Sequence, residues 1–413
     1  MQNISYFCIV KRINIIYIKF VVSCILLFFS SIAIVSAQNG ITDMDSVEVS
    51  LLTCSPHQEV YSLYGHTAIR YYDPHNHIDY AFNYGMFNFH KPYFILRFVF
   101  GLTDYELGAM PFDIFKEEYA SYGSQVTQQV LNLTAEEKMA LRDALGRNYK
   151  PENRVYRYNY FKDNCTTRAR DIIVRCISGN VQYDEDEEYT ASYREMTHEC
   201  NAQHPWAQFG NDMALGMAAD FKTDYAQQQF LPSNLQSDFN KATIHNTDGS
   251  TRRLVSRTDI IVKPGIQVIQ SEFPLTPTEC SLIVLFITVL ISLYEYIKKK
   301  ITWWYDSIMM VVCGLAGVLI LALFFSEHPT TSTNLLILIL NPVPLFFVPR
   351  MIKRARSNKK DDFFTWSIIP ISIMLITAAT GLQDFPMAMN VLALCLLLRC
   401  ISHIIKRGNK QKI

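Results

Sequence analysis

The stretch YFKDNCTTRARD, residues 160–171, decides how this chain is read. It places a cysteine, Cys165, where a polar turn becomes a helix. A structural cysteine in an exported protein pairs or sits in a core. Asp163, Asn164, Thr166, Thr167 and Arg168 are poor company for a core residue. Asp163 or Asn164 can cap the helix, and Ala169, Ile172, Ile173 and Cys176 fall at helical spacing, with Gly179 as the expected stop. A helix start favours an anion and so lowers a thiol pKa. The dipole contributes only about 0.3–1 kcal/mol, less than one pKa unit. A reactive Cys165 therefore needs a base, commonly a histidine far away in sequence.

His66 follows Gly65 at the head of a strand, in GHTAIRYYDPHNHIDYAFNYG (65–85), which reads as a hairpin turning at Asp73-Pro74-His75-Asn76. From the residues alone, His66 reads equally as a base or as a satisfied core histidine. His75 and His77 belong to the turn, and His90 to an aromatic run. His198 and His204 flank Cys200 in an H-x-C-x₃-H pattern without an evident fourth ligand, so no metal is assigned. Arg70 and Arg168 could bind a phosphate or carboxylate, or form salt bridges.

Around these lie a strand at 47–53, a short helix at 111–122 and a strand at 124–133. Thr134 to Glu137 forms a capping box that opens a helix ending before Pro151. Residues 205–240 read as helical, and 246–249 as a hairpin turn. The acidic run at 184–188 reads as a solvated loop, and calcium binding is its weaker alternative. KPYFILRFVFGL, 91–102, is either an interfacial segment or a buried element.

The 413-residue chain carries no formal net charge, which removes the bulk electrostatic case for nucleic acid. It lacks a phosphate loop and a dinucleotide fingerprint, and no cofactor is expected. Lys11, Arg12 and Lys19 precede an apolar run ending in Val35-Ser36-Ala37. This fits a signal peptide over 1–37, with an uncleaved anchor as the alternative. A polar, tyrosine-rich domain follows over 38–276. Residues 277–413 carry five apolar runs, about 281–297, 304–325, 335–349, 363–381 and 387–405. Pro342 and Pro344 should kink or break the third. Lys298 to Lys300, the Arg350–Lys360 segment and the C-terminal lysines form basic loops, whereas 326–334 and 383–386 contain no Lys or Arg. The positive-inside rule then puts the basic loops and C-terminus in the cytoplasm and the 38–276 domain outside. Cys54, Cys165, Cys176 and Cys200 lie in that domain and allow three disulfide pairings.

The segments TCSPHQEVYSLYGHTAIRYYD (53–73) and YNYFKDNCTTRARD (158–171) together resemble a bacterial extracytoplasmic family, the Lnb N-terminal periplasmic domain. That family is similar to the circularly permuted, NlpC-type papain-like superfamily, in which the histidine strand precedes the cysteine helix. Lecithin-retinol acyltransferase-like proteins share this order and have an Asn-Cys pair at the helix start. The resemblance covers most of residues 45–270, and the five-span tail fits it. It implies an α+β fold: a permuted papain-like extracytoplasmic domain followed by a five-helix transmembrane bundle in the bacterial inner membrane. It also implies Cys165 as nucleophile and His66 as general base. A third polar group usually orients such a histidine. A turn at 74–75 would set Asn83 across from His66, with Asp79 on the same face as the alternative. Backbone N–H groups at the Cys165 helix start would serve an oxyanion.

The activity implied is that of a lipoprotein N-acyltransferase. An acyl chain would pass from a glycerolipid ester through a Cys165 thioester to the α-amino group of a lipoprotein N-terminal cysteine. Diacylglyceryl lipoproteins and phospholipids would be the partners. A membrane-anchored cysteine peptidase or amidase of the cell wall, and a non-catalytic lipoprotein-binding membrane module, are the alternatives.

Overall fold

The computed structural model describes residues 44–87, 92–184, 191–267, 273–357, 359 and 361–408. The expected signal peptide, His90 and all but the first residue of the acidic run at 184–188 lie outside the described residues.

The N-terminal domain is built on an antiparallel sheet of seven strands among the described residues. In chain order they are β1 (Glu48–Cys54), β2 (His66–Asp73), β3 (Ile78–Met86), β4 (Asp104–Pro111), β5 (Val126–Leu131), β6 (Val155–Arg157) and, last in sequence, the strand Val255–Val262. That last strand pairs with β5 at one edge, and β6 closes the other.

Strand alternation sorts the apolar residues onto two faces. Leu51 and Ile69 face one side and Leu52 and Ala68 the other, all buried. Helices cover both sides. The short helix α1 (Phe94–Val99) leads into β4, and α2 (Phe112–Ser121) packs Phe112, Phe115 and Tyr119 on the Leu52 face. On the Leu51 face lie α3 (Ala135–Tyr149) and α4 (Cys165–Arg175), which bury Leu141, Leu145, Ala169, Ile172 and Ile173. The capping box at Thr134 forms as its residues predict, with Thr134 and Glu137 bonding reciprocally.

The expected helix over 205–240 is broken. After α5 (Tyr193–Asn201) come α6 (Pro205–Ala214), α7 (Tyr225–Gln228) and α8 (Pro232–Lys241). The gap after α6 exists because its backbone bonds outside the domain: Gly216 N–H donates to Thr330 O (2.7 Å) and Met217 N–H to Thr333 O (3.1 Å). Gly179 does not end α4, whose cap is Cys176. None of the three possible pairings forms: Cys54, Cys165, Cys176 and Cys200 are all free thiols.

Among the described residues, five segments are long and apolar enough to cross a membrane. They are α9 (Pro277–Lys298), α10 (Trp303–Leu323), a broken third span over Leu335–Arg356 whose second part is α11 (Val343–Arg356), α12 (Phe363–Thr380) and α13 (Met387–Gly408). The two prolines act as expected: Pro342 and Pro344 begin α11 after a short 3₁₀ turn. The N-terminal domain rests on the loops that carry no Lys or Arg. Besides Gly216 and Met217, Asn334 Nδ2 donates to Met213 O (2.8 Å) and Glu327 N–H to Phe100 O (3.0 Å).

At the opposite end of the bundle, Arg399 is 2 % exposed and bonds both Asp306 (2.7 Å) and Glu295 (2.9 Å), while His403 Nε2 lies 2.9 Å from Asp306. Charges at this depth persist only when paired.

Candidate active site

Asn164 organises the start of α4. Its Oδ1 accepts from Thr166 N–H (2.9 Å) and Thr167 N–H (3.0 Å). Its amide NH₂ donates to Tyr160 O (3.0 Å) and Phe230 O (2.9 Å). Thr167 Oγ1 returns an acceptor to Asn164 N–H (2.9 Å), completing a capping box. This fixes Cys165 as the first helical residue. Thr166 Oγ1 is locked against Thr67 Oγ1 of β2 at 3.1 Å, which holds the helix start to the strand.

His66 is the first residue of β2. Gly65 before it has φ +74°, and a Cβ there would come within 2.7 Å of Cys54 O, so only glycine brings the chain into the strand at this point. Gly85 of β3 lies against Cys165, and its φ of +92° is a backbone conformation that side-chain-bearing residues rarely adopt.

The Cys165 thiol and the His66 imidazole line the same cavity, near enough for each to shift the titration of the other. The Nε2 of His66 lies 2.7 Å from Asn83 Oδ1. A carbonyl oxygen only accepts, so Nε2 carries the proton and Nδ1 is left to face the sulfur. The His66 ring also stacks with Tyr119 (centroids 6.4 Å apart).

The charges respond to this packing. Burial is the largest single effect and pushes the Cys165 thiol up, but the charge of the imidazole, its polar interaction with the sulfur, and the contacts to Thr67 N–H and Thr166 together outweigh it. The result lies below the ordinary 9.0, at about 7. Burial pulls the His66 imidazole down, while the Cys165 sulfur and Asn83 more than offset it, so its pKa lies above the ordinary 6.5. Each group thus favours the charged form of the other. Cys54 is the contrast: burial drives its thiol well above 9.0.

Asn83 joins His66 as expected, but through a different register. It stands opposite Ala68, not His66, because the turn spans from Asp73 to Ile78 and shifts the pairing by two residues. A two-residue shift keeps the same face, so the side chains still meet diagonally. Asp79 does not reach the histidine. It forms a two-pronged pair with Arg70 (2.8 and 2.7 Å). Arg168 is likewise held by Asp163 (2.6 and 2.7 Å), and His198 lies 2.8 Å from Asp212.

Cys165, His66 and Asn83 open into a cavity of about 540 Å³. Tyr61, Phe87, Phe94, Phe98, Tyr105 and Tyr158 form much of its apolar wall. Sequence reasoning missed this wall, because its residues come from separate loops and strands with no shared spacing. The aromatic run at 91–102 was the one local signal.

Comparison with known families gives two matches along the chain. Residues 35–199 match the Lnb N-terminal periplasmic domain, and residues 268–411 match the Lnb transmembrane domain. Searches of the curated proteins and of the solved structures return no match. A mixed helix-and-sheet domain of the periplasmic type thus precedes a helical membrane domain, in the order the two family models describe, and the chain belongs to the Lnb family.

Proposed function

We propose that this protein is a thiol-dependent lipoprotein N-acyltransferase. Its catalytic group would be Cys165, with His66 as base and Asn83 as the residue that positions His66. The observation that carries the reading is a thiol sharing an aromatic cavity with an asparagine-held histidine, in a domain seated on a membrane bundle.

In this scheme Nδ1 of His66 takes the proton from Cys165 Sγ. The thiolate attacks the ester carbonyl of a glycerolipid, and the C–O bond breaks. His66 returns the proton to the departing alcohol, and the acyl group stays on sulfur as a thioester. The free α-amine of a lipoprotein N-terminal cysteine then attacks the thioester and loses a proton through His66. An amide forms and Cys165 is released. Two of the N–H groups at the α4 start, those of Thr166 and Thr167, already serve Asn164. The Cys165 N–H is the helix-start donor left for the oxyanion.

The apolar wall supports a lipid substrate over a cell-wall peptide, which would call for polar partners along its length. On this reading residues 38–276 form the periplasmic part and 277–413 the inner-membrane part, with the C-terminus in the cytoplasm. The contact of the domain with the loops free of Lys and Arg supports that orientation.

The test is mass spectrometry of purified protein mixed with phospholipid or diacylglyceryl lipoprotein. A hydroxylamine-sensitive acyl adduct is expected on Cys165. In cells, Cys165→Ser and His66→Ala should leave a reporter lipoprotein with a free N-terminus. Full N-acylation in both variants would overturn the proposal, and release of cell-wall fragments by the wild type would favour the amidase.

A further inference from the structure

The helix α1 is out of place for a soluble domain. It is short, apolar and turned outward: Tyr93 is 76 % exposed, Leu96 57 % and Phe98 48 %. Exposed apolar groups clustered this closely mark an interaction surface. Their position identifies the partner. The α1 turn is bonded to the loop that follows α10, which leaves its apolar span at Leu323. Glu327 N–H donates to Phe100 O (3.0 Å), and His328 Nε2 lies 3.2 Å from Phe98 O. Gly101, at φ +69°, packs so closely that a Cβ would lie 3.1 Å from the backbone nitrogens of Glu327 and His328. Arg157 ties the same place together, bonding Asp104 (3.0 Å) and Glu327 (3.2 Å). Phe325, 74 % exposed, stands in that loop. The exposed face of α1 therefore sits within a few residues of a spanning helix end, at the height of the headgroup and acyl-chain boundary.

From Phe98, half-exposed at the border of that face, rings lead inward along the wall of the cavity that holds the thiol. Phe98 and Phe94 stack at 6.4 Å, Phe94 and Phe87 at 6.3 Å, Phe87 and Tyr105 lie 5.0 Å apart, and Tyr105 and Tyr158 stack at 4.1 Å. All five line the cavity that holds Cys165 and His66. A continuous row of rings runs from the membrane-level helix to the sulfur.

We propose that α1 is immersed in the membrane boundary and that this row of rings binds one fatty-acyl chain of a glycerolipid. The chain passes from the leaflet to Cys165 without crossing water. This rests on the acyl-transfer reading for its purpose, since the chain delivers its ester carbonyl to the sulfur. Apolar rings suit a chain that would otherwise expose each methylene to water.

The experiment uses the full chain in nanodiscs of palmitoyl-oleoyl phospholipid, with Cys165→Ala so that no transfer takes place. The photocrosslinker benzoylphenylalanine replaces Leu96, Phe94 or, as a control, Ile78. Ile78 is exposed at the far end of β3, about 26 Å along the strand from Met86 at ~3.3 Å per residue. After illumination, lipid adducts are expected at 96 and 94, at least tenfold above position 78. Adducts at 96 no more frequent than at 78 would overturn immersion. Adducts at 96 without any at 94 would overturn the acyl row. Because the variant lacks the thiol, these outcomes are independent of whether Cys165 is ever acylated.

Discussion

His66 Nε2 and Asn83 Oδ1 stand 2.7 Å apart, on adjacent strands and on one face of the sheet. The contact sets the tautomer and keeps the bare nitrogen toward Cys165. A hydrogen bond to a group that becomes charged contributes about 1.5–3 kcal/mol, roughly a 10- to 150-fold effect. Asn83→Ala should lower kcat for acyl transfer by that factor, with KM little changed. Asp79→Asn, which touches Arg70 instead, should leave kcat within about twofold of wild type. Steady-state transfer assays on both variants decide the point.

The thiol should titrate early. With its pKa at about 7, alkylation of Cys165 by iodoacetamide should reach half its maximal rate near pH 7, against 9.0 for an ordinary thiol. The sign follows from the thiolate being the nucleophile: the rate rises with pH and falls on the acid side. In His66→Ala only the burial effect and the smaller hydrogen bonds remain, so the midpoint should move up by at least one unit. By linkage, the depressed pKa also stabilises the fold above pH 9, and that contribution fades as pH falls through about 7.

Asn164→Asp looks conservative, since both residues cap helices well. Here it should not be. The two amide protons that satisfy Tyr160 O and Phe230 O would be lost, and an anion would face both carbonyls. The expected cost is roughly 1–3 kcal/mol for each carbonyl, read as a lower midpoint in thermal unfolding. The added negative charge beside Cys165 should also move its alkylation midpoint upward.

In the membrane domain, Arg399→Leu would remove the guanidinium shared by the buried carboxylates of Glu295 and Asp306, leaving Asp306 only His403. Removing one member of a buried pair costs about 3–5 kcal/mol. The triple change Glu295→Gln, Asp306→Asn and Arg399→Leu should recover most of that loss. Thermal unfolding in detergent micelles measures both.

The parts of the fold set by local chemistry were legible in the residues. The capping box at Thr134, a polar cap at Asp163 or Asn164, the β2–β3 hairpin and the five apolar runs each depend on neighbours in the chain. Asn83 could be named despite the wrong register because strand side chains repeat every two residues, so a two-residue slip keeps the face. What depended on distant contacts was hidden. The break after α6 reflects bonds from Gly216 and Met217 to another domain, and no local signal announces them. The aromatic wall is assembled from positions between Tyr61 and Tyr158 that share no periodicity.

The backbone bonds from Gly216 and Met217 to Thr330 and Thr333 have one more consequence. They turn the soluble domain from a tethered bead into a fixed gauge of depth. On the proposed acyl-transfer reading, the sulfur would be held at one altitude over the bilayer, and a molecule would be selected by how far its reactive atoms protrude from the lipid as much as by their chemistry.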